Sequence, residues 1–410
     1  MADRFPGGVI SKTPPTVVAP VDGEGGSASG VWTLDEVLGY QKAGAWPKGI
    51  LPRELYAWGY NAAGALGDGT TVTRSSPVQI GSSTDWEYVS SGVAHSQAIK
   101  TNGTLWGWGN GGDGRFGQNS TISASSPVQI GALTNWAQTS SGSLHTNAVK
   151  TDNTLWSWGY NAAGQLGIGT VFTRSSPVQV GALTDWLRVS AGEKFCLAVK
   201  TDGTLWSWGD NVFGQLGDIT ASVVGGQNRS SPVQVGALTN WSQVGAGRYH
   251  SLAVKTDGTL WAWGGNDDGE LGIGVTSSAE RRSSPVQVGA LTNWAQPTGG
   301  FYFSLATTTD GELYSWGRAS LGRLGHNDVV DRSSPVQVGA LTNWSQVSGG
   351  NAHTVAIKTD GTLWVWGLND EGQLGDGTTI RRSSPVQIGA ETNWVLSSAG
   401  VNFTTAVTRG

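Results

Sequence analysis

The chain has 410 residues, of which 63 are glycine, 21 are tryptophan and one is cysteine. This abundance of aromatic residues excludes an intrinsically disordered protein, and a single cysteine excludes an intrachain disulfide framework. Only 13% of the residues are charged and the net charge is −5, which argues against a nucleic-acid-binding surface that acts through summed positive charge.

Residues 1–54 are the first predicted unit, an N-terminal arm that contains no repeat. The segment PPTVVAP, residues 14–20, predicts extended polyproline-like chain, and residues 22–30 are typical of a flexible spacer. The N-terminus has no apolar segment of the kind that signal peptides carry, and no apolar run approaches the ~18 residues that span a bilayer. We therefore expect no membrane insertion.

A short helix over about 34–43 is predicted within the arm. Thr33 can cap it and Glu36 completes a capping box, while Gly44 and Pro47 end it. A helix of about ten residues is not stable alone, so it needs a surface, either its own propeller or another protein. We expect these apolar side chains to form the docking surface of the arm: Trp32, Leu34, Val37, Leu38 and Trp46.

From residue 55 onward the sequence repeats with a period near 50. The repeat is marked by a Trp-Gly pair at Trp58, Trp108, Trp158, Trp208, Trp263, Trp316 and Trp366. The steps between these pairs are 50, 50, 50, 55, 53 and 50 residues. A fixed period of this length indicates a repeat architecture that grows by adding units to one body.

Each copy contains four short β-prone runs. In one copy they are PVQV at 177–180, DWLRVSA at 185–191, FCLAVK at 195–200 and TLWSWG at 204–209. The last two runs are joined by Asp202-Gly203, a strong signal for a β-hairpin because this turn needs a positive φ. Four strands per copy predict an all-β fold, a seven-bladed β-propeller over residues 55–410. Its seventh blade is expected to join strands from Leu55 onward to the strand that ends the chain.

The repeat also resembles a known family. The pattern aGxxHslAvKtdGtLWsWGxNxxGqLGxGt, as in residues 246–274, resembles the repeat of the regulator of chromosome condensation family over residues 55–410. The resemblance implies a seven-bladed propeller closed by mixed terminal strands. That family includes exchange factors for a small GTPase, secreted β-lactamase inhibitors and uncharacterised modules, so it implies a fold more than a function.

The arm has a resemblance of its own. Residues 5–47, FPGGVISKTPPTVVAP and then SASGVWTLDEVLGYQKAGAWP, are similar to the N-terminal segment of structural proteins of tailed phages of marine bacteria, especially cyanophages. In those proteins the segment precedes unrelated C-terminal modules. The resemblance implies that residues 1–54 dock onto other virion proteins and that the propeller is the displayed module.

No catalytic motif stands out along the chain. The sequence lacks G-x-S-x-G, H-E-x-x-H and a P-loop, so we predict no enzyme activity, no catalytic residue and no cofactor. Four histidines occupy one position of the repeat, where three other copies have phenylalanine: His95, His145, His250 and His353. Positions spread around a ring cannot converge on one ion, so we expect no metal site.

The positions that differ between copies are the candidates for function. The two residues before the histidine or phenylalanine position vary most, and they are expected in loops on one face. Aromatic and charged residues from three consecutive copies are predicted to form a partner-binding patch: Lys194, Phe195, Arg248, Tyr249, Phe301 and Tyr302. Drift in unselected loops is the alternative explanation of these differences.

The sequence therefore favours a non-enzymatic virion structural protein, associated with the capsid or the tail. The arm is expected to bind other virion proteins, and the propeller a host-surface protein or glycan. The alternative is a cytoplasmic interaction module, related to exchange factors for a GTPase or to enzyme inhibitors. A glycan-active enzyme or lectin is a third class, but nearly all the tryptophans are needed by the repeat.

Overall fold

A computed structural model describes residues 51–218 and 227–410. Within them, 28 strands form seven antiparallel sheets of four strands each, which confirms the seven-bladed propeller. The arm helix predicted over 34–43 lies outside the described residues. No helix in the described part of the chain is long and apolar enough to cross a bilayer.

The strands follow one another in a regular order. The first two are β1 (Leu55–Gly59) and β2 (Arg74–Gln79). Blade 1 contains β3 (Trp86–Ser91), β4 (His95–Lys100), β5 (Leu105–Gly109) and β6 (Ala124–Gln129). Blade 2 contains β7 (Trp136–Ser141), β8 (His145–Lys150), β9 (Leu155–Gly159) and β10 (Arg174–Gln179). Blade 3 contains β11 (Trp186–Ala191), β12 (Phe195–Lys200), β13 (Leu205–Gly209) and β14 (Arg229–Gln234).

The remaining blades repeat this pattern. Blade 4 contains β15 (Trp241–Ala246), β16 (His250–Lys255), β17 (Leu260–Gly264) and β18 (Arg282–Gln287). Blade 5 contains β19 (Trp294–Gly299), β20 (Phe303–Thr308), β21 (Leu313–Gly317) and β22 (Arg332–Gln337). Blade 6 contains β23 (Trp344–Gly349), β24 (His353–Lys358), β25 (Leu363–Gly367) and β26 (Arg382–Ile388). The last two strands are β27 (Trp394–Ala399) and β28 (Phe403–Thr408).

The blades are offset by one strand from the copies read in the sequence. Each sheet begins at the Asp/Asn-Trp run, and its fourth strand is the Ser-Ser-Pro-Val-Gln run of the following copy, preceded by arginine in every blade but blade 1, which has Ala124. The reason lies in the pairing, because Arg229 in β14 lies opposite Gly209 of the preceding β13. The run before the Asp/Asn-Trp strand therefore belongs to the previous blade.

The closing blade consequently takes two strands from each end of the chain. Its sheet has the order β2-β1-β28-β27, in which Leu55 lies opposite Val407. Three residues that the sequence placed in the arm also belong to the propeller, since Gly410 N donates to Pro52 O at 2.7 Å and Thr408 N to Glu54 O at 2.9 Å. Arg53 N donates to Thr84 O of blade 1 at 2.7 Å. The propeller therefore begins at Pro52 and not at Leu55.

The Asp-Gly hairpin turn forms as predicted. In blade 3, Asp202 Oδ1 accepts hydrogen bonds from the backbone and hydroxyl of Thr204 at 2.9 and 2.7 Å. Trp206 Nε1 donates to the same hydroxyl at 2.9 Å, which ties the turn to the sheet. Gly203 has a φ of +77°, and a Cβ there would lie 2.2 Å from Thr239 O, so glycine is required both by the backbone conformation and by the close approach.

The core lies between the blades and is rich in tryptophan. Between blades 3 and 4, for example, Phe195, Trp241 and Trp263 are buried in one cluster. The rings of Trp241 and Trp263 pack edge to face, with centroids 6.4 Å apart. Equivalent tryptophan pairs recur within the other blades. The contact between blades comes from Trp263 Nε1, which donates to Gln215 O of blade 3 at 2.9 Å.

Candidate functional site

Two kinds of loop lie on the same face of the propeller, which we call the loop face. Because the strands are antiparallel, the loop between the first and second strand of a blade lies beside the loop between its third and fourth strand. Their backbones are joined: Asp210 N donates to Lys194 O, Gly265 N to Tyr249 O and Arg318 N to Tyr302 O, at 2.8 to 2.9 Å. The variable pairs of the sequence therefore lie on one face, as predicted.

Arg248 is the centre of a cluster on the loop face. Its Nε donates to the carboxylate of Glu193 in blade 3, and its Nη1 to the hydroxyl of Tyr302 in blade 5. Its guanidinium carbon lies 4.8, 5.2 and 5.1 Å from the ring centroids of Tyr249, Phe301 and Tyr302. One arginine thus connects three consecutive blades by an ion pair, a hydrogen bond and cation–π contacts.

The cluster extends outward through residues that the sequence analysis missed. The rings of Phe213 and Tyr249 are stacked, with centroids 4.4 Å apart and 22° between the planes. Arg281 lies over Phe213 at 4.4 Å and forms a bidentate ion pair with Asp267 at 2.9 and 3.1 Å. We define the loop-face cluster as these residues together with those around Arg248: Glu193, Phe213, Arg248, Tyr249, Asp267, Arg281, Phe301 and Tyr302.

Electrostatics favour the charged form of Arg248. Burial alone lowers the pKa of its guanidinium, but the hydrogen bond and charge of Glu193 outweigh burial and raise it. Burial, with a smaller contribution from Glu193, raises the pKa of Tyr249 to about 12, so its hydroxyl stays protonated at neutral pH. The cluster therefore contains two arginines, each paired with a carboxylate, among four aromatic rings. Aromatic and arginine side chains are the residues enriched in binding hot spots.

Glu270 lies beneath this face and is only 3% exposed. Its Oε2 accepts a hydrogen bond from Asp268 N at 2.9 Å, and burial raises its pKa to about 7. The same repeat position is glutamine in other blades, such as Gln215 and Gln373. A single buried carboxyl is not by itself a catalytic site.

The structure brings together four of the six residues predicted for the patch. Arg248, Tyr249, Phe301 and Tyr302 are all half-buried and in mutual contact. Lys194 is half-buried beside Asp210. Burial raises the pKa of Asp210, and the charge of Lys194 offsets part of this increase.

Phe195 is wrongly included in the predicted patch. Its side chain is 0% exposed, in the core between blades 3 and 4. It begins β12 at the position that histidine occupies in other blades, and a Cβ on Gly192 would lie 2.2 Å from its ring. The side chain therefore packs within the propeller and cannot contact a partner.

The five apolar residues predicted for the docking arm lie outside the described residues: Trp32, Leu34, Val37, Leu38 and Trp46. Within residues 51–218 and 227–410, no group of three or more histidine, cysteine or acidic side chains is arranged to hold a metal ion. The mouth of the central channel, lined by Gly92, Gly142 and their equivalents, has a volume of about 80 Å³. It is too small for a drug-sized ligand, which needs at least about 300 Å³.

Comparison with known proteins gives the family. Residues 171–406 match the family described as RCC1-like domain, and residues 54–99 and 102–149 match the regulator of chromosome condensation (RCC1) repeat. The chain belongs to the RCC1-like domain family. A further RCC1 repeat description matches residues 136–165, so the resemblance inferred from the repeat is confirmed.

Curated relatives of this RCC1-like propeller are similar over short regions. Protein pim1 of Schizosaccharomyces pombe is 33% identical over 112 residues, 24% of this chain and 21% of that protein. The ultraviolet-B receptor UVR8 of Arabidopsis thaliana is 35% identical over 104 residues, 24% of this chain and 23% of the receptor. The probable E3 ubiquitin-protein ligase HERC4 of Rattus norvegicus is 35% identical over 91 residues, 22% of this chain and 8% of the ligase. The similar region is less than a quarter of each relative.

Solved structures show the same fold over nearly the whole propeller. Prp20p of Saccharomyces cerevisiae superposes with a TM-score of 0.77 at 19% identity, covering 88% of this chain and 92% of Prp20p. Human WBSCR16 superposes with a TM-score of 0.77 at 20% identity, covering 87% of this chain and 99% of the WBSCR16 chain. The Prp20p structure was described together with its binding to Gsp1p and histones. At these identities the likeness concerns the fold alone.

Proposed function

We propose that this protein is a non-enzymatic structural component of a phage virion, in which residues 1–50 attach it to the particle and the propeller is displayed for binding. The partner of the arm is another virion protein of the capsid or tail, and the partner of the propeller is a host-surface protein or glycan. The resemblance of residues 5–47 to the N-terminal segment of phage structural proteins supports the arm's role.

The loop-face cluster is the observation that carries the binding role of the propeller. Six of its eight side chains are aromatic or arginine, and they come from three blades of an otherwise regular repeat. Arg248 holds Tyr249, Phe301 and Tyr302 in fixed positions before any partner arrives, so little conformational entropy is lost on binding. Half-buried aromatic and arginine side chains of this kind dominate the binding energy of protein interfaces.

The second candidate is a cellular interaction module, a relative of GTPase exchange factors or enzyme inhibitors. Its motivation is the family, which this chain shares with curated relatives from a yeast, a plant and a mammal. The two candidates differ in what residues 1–50 bind, and this difference can be tested.

Reconstitution onto particles that lack the protein tests the proposal. Purified full-length chain is expected to bind such particles and sediment with them, whereas a chain that starts at Leu51 is expected to stay in the supernatant. The truncation keeps Pro52, Arg53 and Glu54, whose backbones hydrogen-bond within the propeller, so its circular dichroism and unfolding midpoint should remain those of the propeller. Equal sedimentation of both forms would exclude the arm as the docking segment.

The same preparations test the loop-face cluster through adsorption to host cells. Arg248→Ala and Phe301→Ala are expected to weaken adsorption about tenfold or more, since hot-spot truncations cost about 2 kcal/mol. Ser143→Ala and Asn351→Ala occupy the same repeat position in blades 2 and 6 and serve as matched controls. If all four variants adsorb like the wild type, the cluster is not the binding surface.

A further inference from the structure

In five blades the propeller binds one of its own lysines between two tryptophans. In blade 6, Lys358 Nζ lies 3.6 Å from the ring centroid of Trp364 and 4.9 Å from that of Trp344. Equivalent ammonium groups lie 3.7 to 5.0 Å from their rings in the other four. The five are Lys100, Lys150, Lys200, Lys255 and Lys358. This pocket of the repeat therefore accepts an ammonium group on aromatic faces.

The closing blade has threonine at this position. Thr408 lies opposite Trp394 across the β27–β28 pair, as Lys358 lies opposite Trp344 in blade 6. The second ring is Tyr56, whose centroid is 5.3 Å from that of Trp394 at an angle of 69°. The two aromatic rings are thus retained without the lysine.

A groove in the closing blade extends to the place where the lysine would lie. Its volume is about 610 Å³, and its lining includes Tyr56, Trp394, Thr408 and Glu54. The corresponding groove of blade 2 has about 420 Å³ and is lined by Trp136 and Trp156. The larger volume is sufficient for an extended lysine side chain together with its flanking backbone.

Two carboxylates make the groove of the closing blade attractive to a cation. Glu54 stands where most blades have threonine, and its Oε2 accepts a hydrogen bond from the hydroxyl of Tyr56 at 2.8 Å. Glu391 is exposed at a position where the other copies have these residues: Ser83, Leu133, Leu183, Leu238, Leu291 and Leu341. Burial, then the hydrogen bond and charge of Glu54 and last the charge of Glu391, raise the pKa of Tyr56 to about 12, so both carboxylates act on the Tyr56 hydroxyl.

The other charged groups in the groove leave this attraction in place. Arg382 also lines it, but its guanidinium binds Asp376 at 2.7 and 2.9 Å. The charge of Arg382 is thereby balanced, and the charges of Glu54 and Glu391 remain. An entering ammonium group would meet two aromatic faces and two carboxylates.

We infer that the groove beside Trp394 binds a lysine side chain of a partner protein. The partner's ammonium group takes the place that Lys358 and its four equivalents occupy within their own blades. Aromatic faces and carboxylates together favour a compact cation with an apolar stem, which distinguishes lysine from an uncharged side chain of similar length. The site is on the rim of the propeller and is separate from the loop-face cluster.

Blade 5 provides an internal comparison. It carries the same replacements, with Thr308 for the lysine, Glu312 for the threonine and Tyr314 for the second tryptophan. It has Leu291 in place of Glu391, so it offers one carboxylate where the closing blade offers two. We therefore expect the closing blade to bind a lysine side chain more tightly than blade 5.

Fluorine NMR of the fluorotryptophan-labelled full-length protein tests the site. The probe is the peptide acetyl-Gly-Gly-Lys-Gly-Gly-amide, and its control carries Nε-acetyl-lysine instead. The lysine peptide is expected to shift the Trp394 signal in a saturable manner, with an affinity at least about fivefold above that of the acetylated peptide. The Trp394 signal is assigned by its disappearance in Trp394→Phe. If Trp394→Phe does not fold, the signal that shifts in Glu391→Leu assigns it independently.

Two substitutions at equivalent threonines distinguish binding of the peptide in the groove from non-specific attraction of a cationic peptide to an acidic protein. Thr408→Lys supplies the intramolecular ammonium of the other blades and is expected to abolish the peptide response, whereas Thr308→Lys in blade 5 leaves it unchanged. Glu391→Leu is expected to weaken binding about fivefold. Equal binding of the two peptides, or an unchanged response in Thr408→Lys, would overturn the inference.

Discussion

The histidine position shows how one place in the repeat accommodates two kinds of side chain. His353 Nε2 lies 3.1 Å from the hydroxyl of Thr404 in the closing blade, and that hydroxyl donates its own proton to Gln373 O at 2.8 Å. The hydroxyl can then only accept from the ring, which assigns the Nε2–H tautomer to His353. Phenylalanine fills the same space at Phe403. The position therefore requires a flat ring, and the hydrogen bond is an extra contact that only the histidine copies make.

At the residue scale, His353→Phe tests how the buried imidazole contributes to the free energy of unfolding at different pH values. Burial lowers the pKa of His353 to about 4, below the ~6.5 of an unfolded histidine, so the stability present above pH 6.5 is lost as the pH falls towards 4. At pH 7 the free energy of unfolding of the variant should be about 1 kcal/mol below that of the wild type, because the hydrogen bond is lost. At pH 5 the difference should shift by about 2 kcal/mol in favour of the variant, because His353 of the wild type binds a proton in the unfolded state but not in the folded state.

Guanidinium unfolding midpoints of wild type and His353→Phe at pH 7 and pH 5 measure this difference. The wild type should be the more stable protein at pH 7, and the order should become equal or reverse at pH 5. The remaining buried histidines titrate in both proteins and cancel in the comparison. A stability difference that is the same at both pH values would show that His353 is not buried in its neutral form.

At the scale of the element, the strands could be predicted from the sequence, but which four strands share a blade could not. Asp202-Gly203 and the alternating runs around it specify a hairpin locally. The strand at Arg229–Gln234 instead pairs with β13 across a long loop, and a periodic sequence does not indicate where one sheet ends and the next begins.

The candidate site was predictable only in part, for a similar reason. Arg248 and Tyr302 could be found because they interrupt the repeat. Phe213 and Arg281 were missed, since their contacts depend on how loops of two blades converge in space. Phe195 was misplaced because residue type does not reveal which way the first residue of a strand faces.

Two matched loops allow a prediction about a single element. In the loop before β2, Asp68 Oδ1 accepts hydrogen bonds from the backbone and hydroxyl of Thr70 at 3.0 and 2.7 Å, and its Oδ2 lies 3.0 Å from Arg74. Burial raises the pKa of Asp68, but these hydrogen bonds and the ion pair outweigh it and lower that pKa. The loop before β10 keeps the same framework, with Ile168 in place of the aspartate, and the hydroxyl of Thr170 is buried without a hydrogen-bond partner.

Ile168→Asp should therefore stabilise the protein by about 1 kcal/mol at pH 7, since it supplies the acceptor for Thr170 at the cost of a partly buried side chain. Asp68→Ile, the reverse exchange, should cost about 2 kcal/mol because it leaves the donors of Thr70 unpaired. Thermal unfolding at pH 7 and at pH values below 3.8 measures both effects, and the gain should shrink as the pH falls through the lowered pKa that such a carboxyl shares with Asp68. Destabilisation by both exchanges would show that the apolar contacts of Ile168 outweigh the hydrogen bonds.

At the scale of the whole molecule, closure of the ring depends on one strand. β28 pairs with β1 on one side and with β27 on the other, so it joins the two ends of the propeller in a single sheet. Without it, β1 becomes a sheet edge, β27 loses the strand with which it pairs, and Trp58, which packs against Trp394, loses part of its surroundings. The stability of each blade is therefore coupled to closure, because each blade buries its faces against its neighbours.

Deletion of residues 403–410, which removes β28, should abolish the single cooperative unfolding transition and expose apolar surface that binds a hydrophobic dye. The control is deletion of residues 221–225, which shortens the step between Trp208 and Trp263 from 55 to 50 residues. Shortening a connection changes the loop-closure entropy by less than about 1 kcal/mol, so this control should unfold near the wild-type midpoint. If the chain lacking residues 403–410 unfolds as cooperatively and at the same temperature as the control, the blades are independently stable, and closure contributes nothing to the ring.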